Sequence, residues 1–310
     1  MRIVFMGTAE FGVPTLRGLY EKYDVTGVVT RSDSRKGRGR ELQPSPVKIA
    51  AKELGLDVLE PFDLTDVEFI KKLKEFDADL FFVVAFRILP REVFTIPPKG
   101  TVNLHASLLP DYRGAAPINW AVINGDKVTG LTTFYINDDI DTGDIILKET
   151  VSIDPDETAG ELAERLKETG VSISLKTVEM IENVTATVEK QPLTTKSLAP
   201  KLYKKDGLID WSKDAQSIHN QVRGMNPAPG AYSQYIKGPL KILRTTIVEE
   251  NSHGTSGMIK ESSPKEGFVV SCGRGSLRIL QIQPPGKKVM DGASFVRGYR
   301  IEKGMNVFEL

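Results

Sequence analysis

The chain has 310 residues, 40% of them hydrophobic and 26% charged, with 41 basic side chains balancing 41 acidic ones and a single cysteine. That length accommodates two domains with sizeable cores, the composition is that of an ordinary soluble globular protein, and no segment approaches transmembrane length. One thiol, Cys272, excludes an internal disulfide and a cysteine-based metal site, and it fits a reducing compartment, so a cytoplasmic protein is expected.

The first apolar run, Met1 to Gly7, is too short for a signal peptide and enters a glycine turn. Arg2 to Gly7 therefore reads as a buried strand, with a helix over Phe11 to Tyr23. The turn between them, Gly7-Thr8-Ala9-Glu10-Phe11-Gly12, is glycine-bearing but lacks the G-x-G-x-x-G spacing of a dinucleotide site. Val25 to Val29 is a second strand. Residues 31–46 then break the pattern, with five Lys or Arg against two acids, two Gly and two Pro. A long basic loop among short connections suits a phosphate backbone, where cations displace condensed counterions.

Pro46 to Leu54 and Glu68 to Phe76 read as amphipathic helices around a short strand at Val58-Leu59. Asp79 to Phe86 is a continuous apolar run of β-formers, hence a central parallel strand, ending in a corner at Phe86-Arg87-Ile88-Leu89-Pro90. The next strand starts at Gly100 and places Asn103 and His105 two residues apart, so both side chains share one face near the strand's end. Ala115 to Asn124 reads as a helix, and Leu131 to Asn137 and Ile145 to Val151 as strands. Between those strands lies Asp138-Asp139-Ile140-Asp141-Thr142-Gly143-Asp144, whose spacing is not that of a calcium loop. Pro155 to Ile181 reads as long helical sequence, interrupted or kinked near Gly170. The strand-helix alternation argues for a parallel, doubly wound sheet.

Gln191 to Gly207 has no sustained period and reads as a linker. Beyond it the pattern predicts a helix over Trp211 to Val222. Five short strands follow at 231–236, 240–248, 257–260, 267–271 and 277–283, suggesting a small barrel of the oligonucleotide-binding type. Residues 201–310 carry 17 Lys and Arg against 10 Asp and Glu, so the C-terminal part is the basic one.

The candidate chemistry lies in Asn103, His105 and a carboxylate from 138–144. The other histidines, His219 and His253, sit in a helical and a Gly/Ser-rich context, and no G-x-S-x-G turn supports a hydrolase triad. An amide, an imidazole and an acid suit acyl transfer without a covalent intermediate. Asn would donate to a developing oxyanion, His would donate a second hydrogen bond or a proton, and Asp would fix the imidazole and favour its charged form. One such donor contributes on the order of 3 kcal/mol.

The run Asn103-Leu104-His105-Ala106-Ser107-Leu108-Leu109-Pro110, then Tyr112-Arg113-Gly114-Ala115-Ala116-Pro117, with Asp141-Thr142-Gly143-Asp144 about one strand later, resembles the 10-formyltetrahydrofolate-dependent formyltransferases. The likeness runs essentially end to end, and Phe5-Met6-Gly7-Thr8 with Phe11 resembles that family's start. Arg38-Gly39-Arg40 through Pro44-Ser45-Pro46-Val47 resembles the inserted loop of the members that act on tRNA. Ala199-Pro200-Lys201-Leu202, Asp210-Trp211, Arg223-Gly224-Met225-Asn226-Pro227 and Pro229-Gly230-Ala231 resemble their C-terminal domain.

The resemblance implies a Rossmann-like doubly wound sheet (the formyltransferase fold) followed by a small OB-like β-barrel. The corresponding division is a catalytic domain over 1–189 with its basic loop at 31–46, a linker over 190–206 and a tRNA-binding domain over 207–310. It implies 10-formyltetrahydrofolate as formyl donor with no metal, methionyl-initiator tRNA as acceptor, no membrane partner and a monomer. Asn103 and His105 would stabilise the tetrahedral oxyanion while Asp141 holds His105. Folate contacts are expected at Phe86, Arg87, Ile88, Leu89, Ser107, Leu108, Leu109, Pro110 and Asp138. The tRNA contacts are expected at Arg35, Lys36, Arg38, Arg40, Lys201, Lys204 and Lys205. Phe86-Arg87 departs from the Tyr-Gly of the tRNA-acting members, and Phe86-Arg87-Ile88-Leu89 resembles glycinamide ribonucleotide formyltransferase instead, which implies altered pocket detail with the chemistry kept. Two alternatives stay open. Formyl transfer to a small amine, such as glycinamide ribonucleotide or an amino sugar, would need neither the 31–46 loop nor a basic second domain. A non-catalytic RNA-binding module on the same fold would predict loss of the trio.

Overall fold

The structure is a computed structural model that describes residues 1–36, 41–192, 194–234 and 238–306. It divides into two compact units. One comprises residues 1–117, 129–151 and 163–199, and the other 118–128, 152–162 and 200–310. The segments 118–128 and 152–162, which the sequence places in the first domain, thus cluster with the C-terminal part.

In chain order the first elements are β1 (Arg2–Gly7), α1 (Val13–Lys22), β2 (Asp24–Val29), β3 (Ser34–Lys36), β4 (Glu41–Gln43), α2 (Pro46–Glu53) and β5 (Val58–Leu59). Next come α3 (Val67–Glu75), β6 (Leu80–Val84), α4 (Arg91–Phe94), β7 (Thr101–His105), β8 (Arg113–Gly114), α5 (Pro117–Ile123), β9 (Val128–Tyr135), β10 (Ile145–Ser152), α6 (Ala159–Glu182) and β11 (Leu198–Ala199). Among the described residues seven strands form one sheet in the order β10-β9-β7-β6-β1-β2-β5. The pairs β2–β5, β1–β2, β1–β6 and β6–β7 are parallel, and β7–β9 is antiparallel. Strand order therefore reverses at β1: the chain goes outward through β2 and β5, then returns to the far side of β1 as β6 and β7. In such sheets the crevice beyond the carboxyl ends of the strands at the reversal is where ligands bind.

All five residues of β6 are buried, which is why this stretch carries no polar alternation. Val4, Met6, Phe81 and Val83 pack with Phe69 and Leu73 of α3, whose first turn is capped by the Asp66 carboxylate accepting from the Phe69 N–H at 2.8 Å. The expected interruption of the long helix is not there: α6 runs unbroken through Gly170. A Cβ at that position would come 3.3 Å from the Leu104 side chain, so the glycine serves close packing of helix on strand. The basic stretch 31–46 is a paired hairpin at its base, with Ser34 opposite Gln43 and Lys36 opposite Glu41; residues 37–40 lie outside the described residues.

The second unit holds α7 (Ala215–Gly224), β12 (Ala231–Ser233), β13 (Leu240–Glu249), β14 (Ile259–Ser263), β15 (Gly267–Ser271), β16 (Ser276–Gln283), β17 (Met290–Asp291) and α8 (Gly292–Tyr299). Its sheet runs β12-β13-β16-β15-β14, with β17 also on β16, and these pairings are antiparallel. The helix expected from Trp211 starts only at Ala215. The Asp210 carboxylate accepts from the Ser212 N–H at 3.0 Å and the Ser212 hydroxyl at 2.6 Å, a local turn that competes with helix, and Asp214 then caps α7. Trp211 is fully buried among Phe268, Phe295, Leu277 and Ile279, its indole N–H donating to Ser233 Oγ at 3.1 Å.

The borrowed segments are held by side chains of α7 and α5. Buried Arg223 donates to the carbonyls of Glu157 (3.2 Å) and Asp154 (3.4 Å), and Asn119 Nδ2 donates to the Gly224 carbonyl at 2.7 Å. His219 is buried beside them, with Nε2 donating to the Pro155 carbonyl at 3.3 Å and Nδ1 accepting from Thr245 Oγ1 at 3.0 Å. Burial is the main reason its pKa lies below the ordinary imidazole value. Cys272 is buried in the same core, which pushes its thiol up to about 12 and leaves no appreciable thiolate at neutral pH.

Candidate active site

β7 lies between β6 and β9, with Asn103 in register with Val83 on one side and Phe134 on the other. Both neighbours are buried and apolar, so the polar side chains at 103 and 105 stand at the end of an otherwise dry strand. Asn103 is half-buried, and among the described residues its carboxamide has no hydrogen-bond partner. An unpaired amide in such a place costs free energy unless something else binds it.

His105 is buried. Its Nε2 lies 2.9 Å from the Tyr112 carbonyl, which can only accept, so the ring carries its proton on Nε2. Nδ1 is then the free nitrogen, 3.8 Å from Asp141 Oδ2. That is ion-pair range and too long for a hydrogen bond. The expected grip of Asp141 on the imidazole is accordingly indirect: Asp141 Oδ2 accepts instead from the Gly114 N–H at 2.9 Å.

Two loops meet here. The loop after β7 is stitched to β9, because Thr132 Oγ1 donates to the Ser107 carbonyl (2.7 Å) and accepts from the Leu109 N–H (3.1 Å). The acidic turn carries Asp141 at φ +55°, in the left-handed region where L residues sit at a cost of roughly 1 kcal/mol and Asp is better tolerated than most. Gly143 two residues on admits no side chain, since a Cβ would lie 1.6 Å from the Tyr135 carbonyl oxygen. Arg91 pairs with Asp138 at the start of the same turn.

The residues expected to touch folate divide into two groups. The Ser107 hydroxyl donates to the Asp111 carbonyl at 2.6 Å, and Leu109 fills a cluster with Phe134 and Ile145, so these two side chains are engaged by the fold. Leu89 is buried, and Phe86 packs on the core beneath the β6 edge. Leu108 and Pro110 are half-exposed, whereas Ile88 is 71% exposed. Arg87 folds back to donate to the Phe62 carbonyl at 2.8 Å and to the Pro61 carbonyl. This closes one side of a hollow of about 430 Å³ lined by Phe62, Leu64, Arg87 and Ile88. The departure at 86–87 thus ties the β6 corner to residues 61–62. Tyr112 and Gly114 belong to the motif that carries the family resemblance, but the sequence assigns neither a role, because both act through backbone groups.

Of the residues expected to meet tRNA, Arg35 and Lys36 lie on β3, and Arg38 and Arg40 fall outside the described residues. Lys201, Lys204 and Lys205 are exposed, the last two on a 3₁₀ turn over Lys204–Gly207. In the second unit Trp120, Tyr203, Lys201, Lys205, Lys213 and Gln221 border a groove of about 520 Å³. Among the described residues no cluster of His, Cys, Asp and Glu could hold a metal, and no helix is long and apolar enough to cross a membrane.

A formyl transferase family profile matches residues 1–178, and the profile of that family's C-terminal domain matches residues 201–300. The methionyl-tRNA formyltransferase of Clostridioides difficile is 45% identical over 307 residues, spanning 98% of this chain and 99% of its own. That of Porphyromonas gingivalis is 43% identical over 317 residues, spanning 99% and 98%. Among solved structures, the sugar 3N-formyl transferase WlaRD, crystallised in the presence of dTDP and 5-N-formyl-THF, has the same fold with a TM-score of 0.68 at 20% identity, covering 93% of this chain and 99% of that one.

Proposed function

The chain belongs to the formyl transferase family, among its methionyl-tRNA formyltransferases, and on that premise we propose how its residues divide the work. The enzyme moves a formyl group from a folate carrier onto the amino group of methionine on initiator tRNA. We take the carrier to be 10-formyltetrahydrofolate, bound along the carboxyl ends of β6 and β7 near 86–89, 107–110 and Asp138.

The neutral α-amino group attacks the formyl carbon. The carbonyl π pair moves to oxygen, and an N–H of Asn103 meets the resulting oxyanion. His105, whose Nε2–H is tied to Tyr112, offers Nδ1 to the proton that the amine sheds. The charged ring, with the Asp141 carboxylate 3.8 Å away, can then donate from Nδ1 to the oxyanion. As the oxyanion collapses the bond from carbon to N10 breaks, and the same proton passes to N10, so the ring ends neutral and tetrahydrofolate leaves. The observation that carries this reading is the half-buried Asn103 amide, without a partner among the described residues, beside a histidine of fixed tautomer.

The hairpin residues Arg35, Lys36, Arg38 and Arg40, with Lys201, Lys204 and Lys205, would engage the tRNA. The functional division would be a catalytic domain over 1–189, a linker over 190–206 and an RNA-binding domain over 207–310 whose antiparallel sheet acts as an OB-like barrel. We propose a cytoplasmic monomer. The test is formylation of Met-tRNA with 10-formyltetrahydrofolate by wild type, Asn103→Ala, His105→Ala and Asp141→Ala. Losses of tenfold or more in each support the roles, and unchanged turnover in all three sinks them.

A further inference from the structure

Gln191 opens the stretch that reads as a linker in the sequence, yet its carboxamide is fully engaged at the active site. Nε2 donates to the carbonyls of Asp141 (3.1 Å) and Gly143 (2.7 Å). Oε1 accepts from Arg113 Nη2 (2.7 Å) and Nε (3.2 Å). Arg113 Nε also donates to the Asp141 carbonyl at 3.0 Å, and Nη2 to the Pro192 carbonyl at 3.0 Å. Both lone pairs of the Asp141 carbonyl are thereby taken by donors from two distant segments. The residue so held has φ +55° and carries the carboxylate next to His105.

The same stretch is fastened to the loop that supplies Arg113. The Tyr112 N–H donates to the Ser197 carbonyl at 2.8 Å, the Lys196 N–H to Asp111 Oδ1 at 2.8 Å, and β11 pairs with β8. A solvated carbonyl would need only water. A planar guanidinium fork closed by an amide instead fixes direction as well as satisfying the oxygen.

We propose that Gln191 and Arg113 are positioning residues for Asp141: together they hold its backbone in the left-handed conformation that aims the carboxylate at His105 Nδ1 and the Gly114 N–H. The inference rests on the catalytic reading of Asp141. The segment leading out of the first unit is then a wall of the active site before it is a connection.

The test is steady-state formylation by Gln191→Ala, Gln191→Glu and Arg113→Lys, with Gln191→Ala repeated in an Asp141→Ala background. Removing the clamp should lower kcat on the order of 10- to 100-fold, as expected for a small misplacement of a reacting group. KM for folate and for Met-tRNA should stay within about twofold, since neither substrate is held by these groups. Gln191→Glu keeps the volume and the Arg113 acceptor but loses both Nε2 donors, so it should fall with Gln191→Ala even if the smaller variant folds poorly. Arg113→Lys should not preserve turnover, because one ammonium cannot reproduce the planar fork that reaches the Asp141, Gln191 and Pro192 oxygens. In the Asp141→Ala background Gln191→Ala should cost less than about twofold more. Wild-type kcat in Gln191→Glu, or a full multiplicative loss in the Asp141→Ala background, overturns the proposal. Wild-type turnover reports separately on the formyl-transfer reading, so either can fail alone.

Discussion

Asn103 and His105 stand on an interior strand with paired neighbours on both edges, whereas Lys201, Lys204 and Lys205 stand on an exposed segment and a single 3₁₀ turn. The first arrangement fixes a few atoms by many constraints from residues far apart in sequence. The second fixes almost nothing beyond a local density of charge. On the roles proposed above, the contrast follows from what each target needs. A tetrahedral oxyanion occupies one place for the lifetime of a transition state, so donors must be in position beforehand. A phosphate backbone presents charge along its length and is bound through counterion release, which tolerates imprecision. The unit that carries the lysines has its buried hydrophobic core around Trp211.

That comparison breaks most visibly at Trp211. Trp211→Ala should destabilise the second unit by about 3 to 5 kcal/mol, as for other buried aromatic truncations. Chemical denaturation followed by circular dichroism would measure it, and folate binding by the first unit should persist beyond the new midpoint of the second. Loss of folate affinity in step with the unfolding of residues 200–310 would show that the units do not divide the work as proposed.

Asn103→Ala tests the other side. Removal of one oxyanion donor lowers kcat by about 10²- to 10³-fold in comparable sites, close to 3 or 4 kcal/mol of transition-state stabilisation. Because the amide has no partner among the described residues, the melting temperature should hold or rise slightly, so activity and stability should separate. A variant that loses both together would mean that the amide is structural.

Acid should distinguish the units as well. His219 is neutral in the fold with its pKa depressed by burial, so the unfolded chain binds a proton more readily than the native one. Its contribution to stability is complete above the unfolded value of about 6.5 and is lost as pH falls from there through the lower folded value. Denaturation of the second unit between pH 7 and 5 should show this decline, and His219→Gln should flatten it. An unaltered slope in the variant would assign the decline to other groups.

The positions of the strands and the two-residue spacing of Asn103 and His105 on one of them were legible because they rest on local rules, namely apolar runs, alternation and turn residues. The continuous α6 was misread because glycine in a sequence signals a break, whereas Gly170 answers a contact with Leu104 across the fold. Gln191 was hidden for the same reason in stronger form. Its partner Arg113 is 78 residues away, and an amide in a proline-containing, aperiodic stretch carries no local signal of what it will bind. The segments 118–128 and 152–162 have the helix and strand patterns of their neighbours, and they join the second core through contacts far away in sequence, among them those of Asn119, Arg223 and His219.

The smallest effect should come from single lysines, and its form matters more than its size. If Lys201, Lys204 and Lys205 each neutralise one phosphate, then Lys→Ala at any of them should lower tRNA affinity modestly. Each should also reduce the slope of log affinity against log salt by about 1. The three losses should be nearly additive, because all three side chains are exposed, Lys201 ahead of the turn and Lys204 and Lys205 on it. The Gln191 cycle above predicts the opposite, near-complete non-additivity with Asp141. Additive lysines beside a non-additive clamp would express the difference between binding by charge density and catalysis by geometry within one chain. Strong coupling among the lysines, read from filter-binding titrations at several salt concentrations, would instead indicate that the turn is ordered around a particular nucleotide, and the second unit would then recognise shape as well as charge.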